Sequence, residues 1–104
     1  MAMTFNPMPK NKRYENPDLL AYTRKQKSAV SGRLGCVPHH YKGLNTGGMG
    51  IKPGDNVVIP LTPEEHRECH DKGEEKFFKA HKTDPLRAII DNLTGYLKSL
   101  NASS

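Results

Sequence analysis

Apolar and polar positions divide this chain into short strands and helices joined by a glycine-rich connection. Val57 to Leu61 is a short apolar run rich in β-branched residues, which predicts a strand. Leu34 to Tyr41 predicts a second strand before it. The connection between them, residues 42–54, contains five glycines and a proline, and we predict a loop there.

A helix follows directly after the second predicted strand. Thr62 suits the N-cap, Pro63 suits the first helical position, and Glu65 stands three residues after the cap, where it completes a capping box. The three elements together predict a ββα hairpin with a long glycine-rich connection.

We predict three further helices in the segments before and after this hairpin. They are a short helix from Pro17 to about Lys27, a helix over residues 74–81 after Gly73, and a last helix that begins at Pro85. The last helix has an apolar stripe, which is typical of a core face or a homodimer face, at Leu86, Ile89, Ile90, Leu93, Leu97 and Leu100. We predict an α+β fold in one domain over residues 16–104, with the ββα core at about 34–72, C-terminal helices at about 74–100, and a disordered basic arm at 1–15.

Four of the five histidines fall within residues 39–70. His66 and His70 are one turn apart on one face of the predicted helix, so their imidazoles could share a metal ion. His39 would be a third ligand, leaving coordination positions open for a phosphate oxygen and water. His40 points the other way if the segment is extended, and is therefore free to act as a general base.

A general base needs a partner that fixes its tautomer and ring plane. Asn56, in the segment before the second strand, could supply that partner. A metal ion with three imidazole ligands and a neighbouring base is the chemistry that phosphodiester hydrolysis requires.

This arrangement resembles the HNH, or ββα-metal, nucleases. It is most similar to the histidine-rich branch that includes the colicin DNases and to phage HNH proteins of the recombination-enhancement type. The matching segments are residues 38–41, 47–56, 59–62 and 65–70, and the resemblance covers about residues 28–78. It implies His39, His66 and His70 as metal ligands, His40 as general base, Asn56 as orienting residue, and DNA cleavage with one divalent metal ion (Zn, Mg, Mn or Ni).

Two positions depart from the family pattern. Many phage relatives have a Cys-x-x-Cys-Gly zinc knuckle where this chain has Ser28, Ser31 and Gly32, so we predict no second, structural zinc. Asn56 is one residue further from His66 than is usual, which leaves Asp55 as an alternative orienting residue.

The donor set also bears on which metal is bound. Three imidazoles favour zinc, nickel, cobalt or manganese over magnesium in affinity. Cys36 and Cys69 are the only cysteines, and the interpretation that needs no function is that both are buried apolar side chains. The rival interpretation is a purely structural zinc site that one of them forms with the same histidines.

The net charge is +5, and residues 1–33 hold seven basic and two acidic side chains. This charge could bind a DNA backbone, or it could be a solubilising tail. The predicted DNA contacts are Lys25, Lys27, Arg33, Lys42 and Lys52.

We therefore expect an HNH endonuclease that nicks or cleaves DNA, with a non-catalytic zinc module for DNA or protein binding as the alternative. No apolar run is long enough for a membrane span, so we expect a cytoplasmic protein, in the host cytoplasm if a phage encodes it. A homodimer or a recombination-protein partner, which could be needed for activity, remains open.

Overall fold

Two antiparallel strands form the sheet that positions the rest of the molecule. The computed structural model describes residues 13–43 and 53–102. Strand β1 (Val37–His40) pairs with β2 (Val58–Leu61), with His39 opposite Ile59 and His40 opposite Val58. Directly opposed residues share a face and neighbours along a strand alternate, so His39 and His40 point to opposite faces.

Four helices surround this sheet, which confirms the predicted α+β class. Within the described ranges they are α1 (Pro17–Arg24), α2 (Pro63–Lys72), α3 (Glu74–Ala80) and α4 (Pro85–Ala102), and a 3₁₀ turn, Asp55–Val57, leads into β2. None of the helices in the described ranges is long and apolar enough to cross a membrane.

The helix starts agree with the local chemistry of the sequence. The Asn16 side chain accepts a hydrogen bond from Leu19 N at 3.1 Å and so caps α1. The predicted capping box of α2 is present in both directions, between Thr62 and Glu65. These caps satisfy backbone N–H groups that have no partner within the helix.

Two boundaries differ from the prediction by three residues. Helix α1 ends at Arg24 rather than near Lys27, because the next N–H groups close tighter turns onto Tyr22 and Thr23. Strand β1 begins at Val37 rather than Leu34, because Gly35 has a φ of 81°, a left-handed conformation that interrupts an extended chain.

The hydrophobic core lies on the face of the sheet that His39 shares. Its buried members come from the 3₁₀ turn, β2, α2, α3 and α4, and they are Val57, Ile59, Leu61, Cys69, Phe77, Phe78 and Ile89. The opposite face carries α1, where Leu19 is buried and Thr23 accepts a hydrogen bond from Asn92 Nδ2 of α4 at 2.9 Å. Helix α4 is therefore bound to both layers.

The apolar stripe of α4 divides between core and surface. Ile89 is buried and Leu93 packs partly against the core. Four members of the stripe are exposed, and they are Leu86, Ile90, Leu97 and Leu100. The core interpretation therefore accounts for only part of the stripe.

The segment before α1 also has a fixed place. Arg13 Nη1 donates to Pro53 O at 3.2 Å, and Asp55 N donates to Tyr14 O at 2.9 Å. Residues 13 and 14, at the end of the predicted arm, therefore contact the segment before β2, whereas residues 1–12 lie outside the described ranges.

Ser28 and Ser31, at the positions where the resemblance predicts cysteines, hydrogen-bond to a carboxylate. Ser28 Oγ donates to Glu65 Oε1 at 2.6 Å, and the same oxygen accepts Thr62 N at 2.9 Å. Burial would raise the pKa of Glu65, but hydrogen bonds from Ser28, Ser31 and Thr62 outweigh it and hold the pKa below its usual value. Glu65 thus joins the 28–33 turn to the start of α2.

We expect Glu65→Ala to lower the free energy of unfolding by about 2–3 kcal/mol at pH 7, because it removes the cap partner and takes away the acceptor of the buried Ser28 hydroxyl hydrogen. Glu64→Ala, at the neighbouring exposed position, should change it by less than about 0.5 kcal/mol. Urea unfolding measures both.

The acid dependence gives a second check on Glu65. Because its folded pKa is depressed, its contribution is present above the unfolded pKa, near 4.5, and is lost as pH falls through the folded pKa. The stability difference between the parent and Glu65→Ala should therefore shrink below about pH 4.5. An equal difference at pH 7 and pH 3 would contradict this account.

Candidate metal centre

The sheet and α2 bring three histidines together. β1 directs His39 into the core side of the sheet, where its side chain is 2% exposed. The capping box starts α2 at Pro63, which places His66 and His70 on the helix face that is turned toward His39 of β1. The His39 ring centroid lies 5.2 Å from that of His66 and 5.7 Å from that of His70.

The donor atoms of these histidines have spacings that suit one metal ion. One nitrogen from each ring lies within 4.8 Å of the others, and His66 Nε2 is 3.1 Å from His70 Nε2. Two nitrogens at about 2.0 Å from a tetrahedral ion would be about 3.3 Å apart. Three imidazoles are also a donor set that zinc and similar ions prefer. His39, His66 and His70 are thus close enough to hold a metal ion.

Burial favours the neutral state of His39 and His66, the two less exposed histidines of the group, and a metal ligand must be neutral. Burial lowers the pKa of His39, although the hydrogen bond to Glu74 opposes the change. Burial also lowers the pKa of His66, and the charges of the neighbouring histidines lower it further. Neutral imidazoles offer a lone pair to a metal ion without first losing a proton.

Glu74 is a member of this site that the sequence analysis missed. Its Oε2 lies 2.9 Å from His39 Nε2 and accepts Lys42 N at 2.7 Å. In neutral His39 this contact places the proton on Nε2, while Nδ1 is buried with no hydrogen-bond partner in the described ranges. A carboxylate on the far nitrogen of a ligand histidine is a common supporting contact.

A signal for Glu74 was available in the sequence. Glu74 follows His70 by four residues, as His70 follows His66, so the three share one face if the helix continues. Gly73, with a φ of 91°, separates α2 from α3 and hides this spacing.

Cys69 lies beside the histidine group but outside it. Its sulfur is 3.7 Å from His39 Nε2, and burial, with Glu74 and Glu68 nearby, raises the pKa of the thiol to about 11. The thiol is therefore protonated at neutral pH and is a poor ligand in that state. Cys36 is buried too and donates to Arg33 O at 3.4 Å.

His40 stands on the other face of β1 and is held by a buried carboxylate. His40 Nε2 lies 2.8 Å from Asp55 Oδ1, and the side chain of His40 is 29% exposed. Asp55 also pairs with Arg13 at 3.0 Å and accepts Asn16 N at 2.8 Å. His40 is near enough to the histidine group for its charge to lower the pKa of His66.

These contacts keep Asp55 ionised. Burial would raise its pKa, but hydrogen bonds from Asn16 N–H and His40, with the Arg13 charge nearby, outweigh burial and hold the pKa below its usual value. An ionised Asp55 accepts a hydrogen bond from His40 Nε2–H, which leaves the lone pair of His40 on Nδ1.

The prediction of Asn56 as the partner of His40 differs from the structure. Asp55, the alternative orienting residue, is the buried first residue of the 3₁₀ turn and pairs with His40, whereas Asn56 is exposed and has no hydrogen bond to His40 in the described ranges. The physical reason is that Arg13, Asn16 and His40 can satisfy a buried carboxylate from three sides.

The predicted DNA contacts fall at different places. Lys42 lines the cavity of about 210 Å³ that contains His39 and His70. Lys25 and Lys27 line a separate cavity of about 650 Å³ that contains none of the metal-site histidines. Arg33 is exposed on the 28–33 turn, and Lys52 lies outside the described ranges.

Comparison with known proteins places the chain in a family. A family model described as "Protein of unknown function (DUF968)" matches residues 1–92. The chain belongs to the DUF968 family. This DUF968 chain is also 34% identical over 67 residues to a protein of Escherichia coli strain K12 described as "Uncharacterized protein YdfU". The aligned residues are 64% of this chain and 19% of YdfU, and no solved structure matches.

We expect this DUF968 chain to bind one zinc ion. Loss of a residue that only supports a metal ligand lowers the metal affinity by roughly 10- to 100-fold. His66→Ala removes a ligand itself, so we expect it to weaken zinc binding by more than that. His81 is outside the group, so His81→Ala is the matched control and should bind as the parent does. Isothermal titration calorimetry measures both. Equal zinc affinity in the His66→Ala variant and the parent would rule out the three-histidine site.

Proposed function

We propose that this chain is a metal-dependent endonuclease of the HNH type that hydrolyses phosphodiester bonds in DNA. One observation carries the proposal. Two adjacent residues of β1 face opposite ways, so His39 joins a group that can hold a metal ion while His40 remains outside it, paired with Asp55. The sheet, α2 and this separation of roles also support an HNH-type ββα core.

The chain's own residues supply the proton transfer. His40 Nδ1 takes a proton from the attacking water, because the bond to Asp55 places the ring proton on Nε2. Asp55 fixes this tautomer and stabilises the imidazolium that forms, and Arg13 and Asn16 keep Asp55 in place. The partly exposed ring leaves room for water and substrate to reach it.

The divalent ion would be held by His39, His66 and His70. Glu74 would support His39 through its hydrogen bond to Nε2. A bound ion would supply positive charge at the scissile phosphate and at the departing oxygen. Lys42, at the edge of the same cavity, adds a cation for the DNA backbone.

A second candidate function rests on the position of Cys69. Its sulfur is 3.7 Å from His39 Nε2 and lines the same cavity, so a bound zinc ion could draw it into a closed, non-catalytic site. The chain would then be a zinc module that binds DNA or a protein. Cys69→Ser should release zinc if this is so, whereas the nuclease proposal expects zinc to stay bound.

We expect His40→Ala to keep its metal and to slow cleavage of supercoiled plasmid by about 100-fold or more, because the variant lacks the proposed general base. Parent and variant are compared after metal removal and resupply with magnesium, manganese, nickel or zinc. His81→Ala should cleave at the parent rate. Unchanged cleavage by His40→Ala would remove this residue from the mechanism.

We expect Asp55→Asn to slow cleavage by about 10- to 100-fold, since it weakens the contact that fixes the His40 tautomer. Asn56→Ala is the neighbouring control and should cleave normally, because Asn56 is exposed and the hydrogen bond of His40 is to Asp55. The opposite ranking, with Asn56→Ala impaired and Asp55→Asn normal, would return the orienting role to Asn56.

A further inference from the structure

Helix α4 exposes an apolar stripe that the core does not cover. Ile89 is buried in the core, and Leu93, beside it, packs partly against the core. Four further side chains of the stripe are between 45% and 59% exposed, and they are Leu86, Ile90, Leu97 and Leu100. The other exposed large apolar side chains in the described ranges, Tyr14 and Leu34, lie outside the helices. Exposed apolar side chains that gather on one face of one element are typical of an interface.

The spacing of this stripe favours another helix as its occupant. Its members are separated by alternate steps of four and three residues, and they are Leu86, Ile90, Leu93, Leu97 and Leu100. This is the heptad spacing of a coiled-coil seam, in which the side chains of one helix fit between those of a second helix. At 1.5 Å per residue the stripe is about 21 Å long, so it follows most of α4.

A second copy of the chain can supply the matching helix face. Among the described helices, α4 is the one that carries exposed large apolar side chains. Two copies related by a two-fold axis present the same surface to each other, so each stripe covers the other. Such a contact closes on itself, and the assembly ends at a dimer.

The charges beside the stripe do not oppose this pairing. Thr94 and Asn101 border the stripe on the exposed side of α4 and carry no charge. Arg87 borders it too, but Asp91 matches its charge at 3.1 Å within the same helix. Lys98 lies further round the helix and is exposed, so its long side chain can keep its charge in water. Two copies can therefore meet along the stripe without burying an unpaired charge.

We propose that this chain forms a two-fold dimer in which the α4 stripes of two copies pack against each other. The inference does not depend on the proposed nuclease function. It gives each dimer two candidate metal centres, one in each copy. The stripe is narrow, so the interface is at the small end of specific protein interfaces, and we expect a dissociation constant on the order of 10 μM.

Sedimentation velocity of the full chain tests the dimer, over concentrations from about 1 to about 200 μM that span the expected dissociation constant. Leu97→Lys and Ile90→Lys each place a charge in the stripe. Leu34→Lys is the matched control, since it makes the same change at an exposed apolar position outside α4. All three positions are exposed, so the core is left intact, and thermal unfolding checks that each variant is folded.

We expect the parent and Leu34→Lys to be mostly dimeric at the highest concentration. Leu97→Lys and Ile90→Lys should each weaken the dimer by at least about tenfold, because every dimer would then bury two unpaired ammonium groups. A parent that stays monomeric throughout the range, or stripe variants that dimerise as the parent does, would overturn the proposal. So would a dimer that only Leu34→Lys weakens, since the interface would then lie elsewhere.

Discussion

The alternation of side chains along β1 is the constraint on which the site depends. His39 and His40 are neighbours in the chain, but the extended backbone sends one into the core and the other toward α1. A one-residue change of register would exchange them and place the partly exposed residue at the metal position. The short sheet, buried by helices on both faces, fixes that register through Ile59 and Leu61.

Asp55 extends this constraint to parts of the chain that are distant in sequence. One buried carboxylate joins Arg13 and Asn16 at the start of the fold to the 3₁₀ turn and to His40. Its charge is tolerated because each oxygen has partners. Removing those partners would leave a buried charge whose loss of hydration is not compensated. The orientation of the proposed base is therefore tied to the folding of the segment before α1.

Local chemistry explains what could be predicted from the sequence. The Thr62 capping box, the Asn16 cap and the i, i+4 spacing of His66 and His70 depend on neighbouring residues, and each agrees with the structure. The partners of Asp55 and the position of Glu74 beyond Gly73 depend on tertiary packing. The same applies to charge, since Lys25 and Lys27, from the basic segment of residues 1–33, line a cavity without the metal-site histidines, and Lys42 lies beside those histidines.

The central claim is that three imidazoles, and no thiolate, hold one metal ion with coordination positions left open. X-ray absorption spectroscopy of the zinc-loaded protein tests it most directly, because sulfur and nitrogen ligands scatter differently. The account predicts a shell of nitrogen and oxygen atoms at about 2.0–2.1 Å with the signature of three imidazoles. A sulfur ligand at about 2.3 Å would contradict it and favour a closed structural site that includes Cys69.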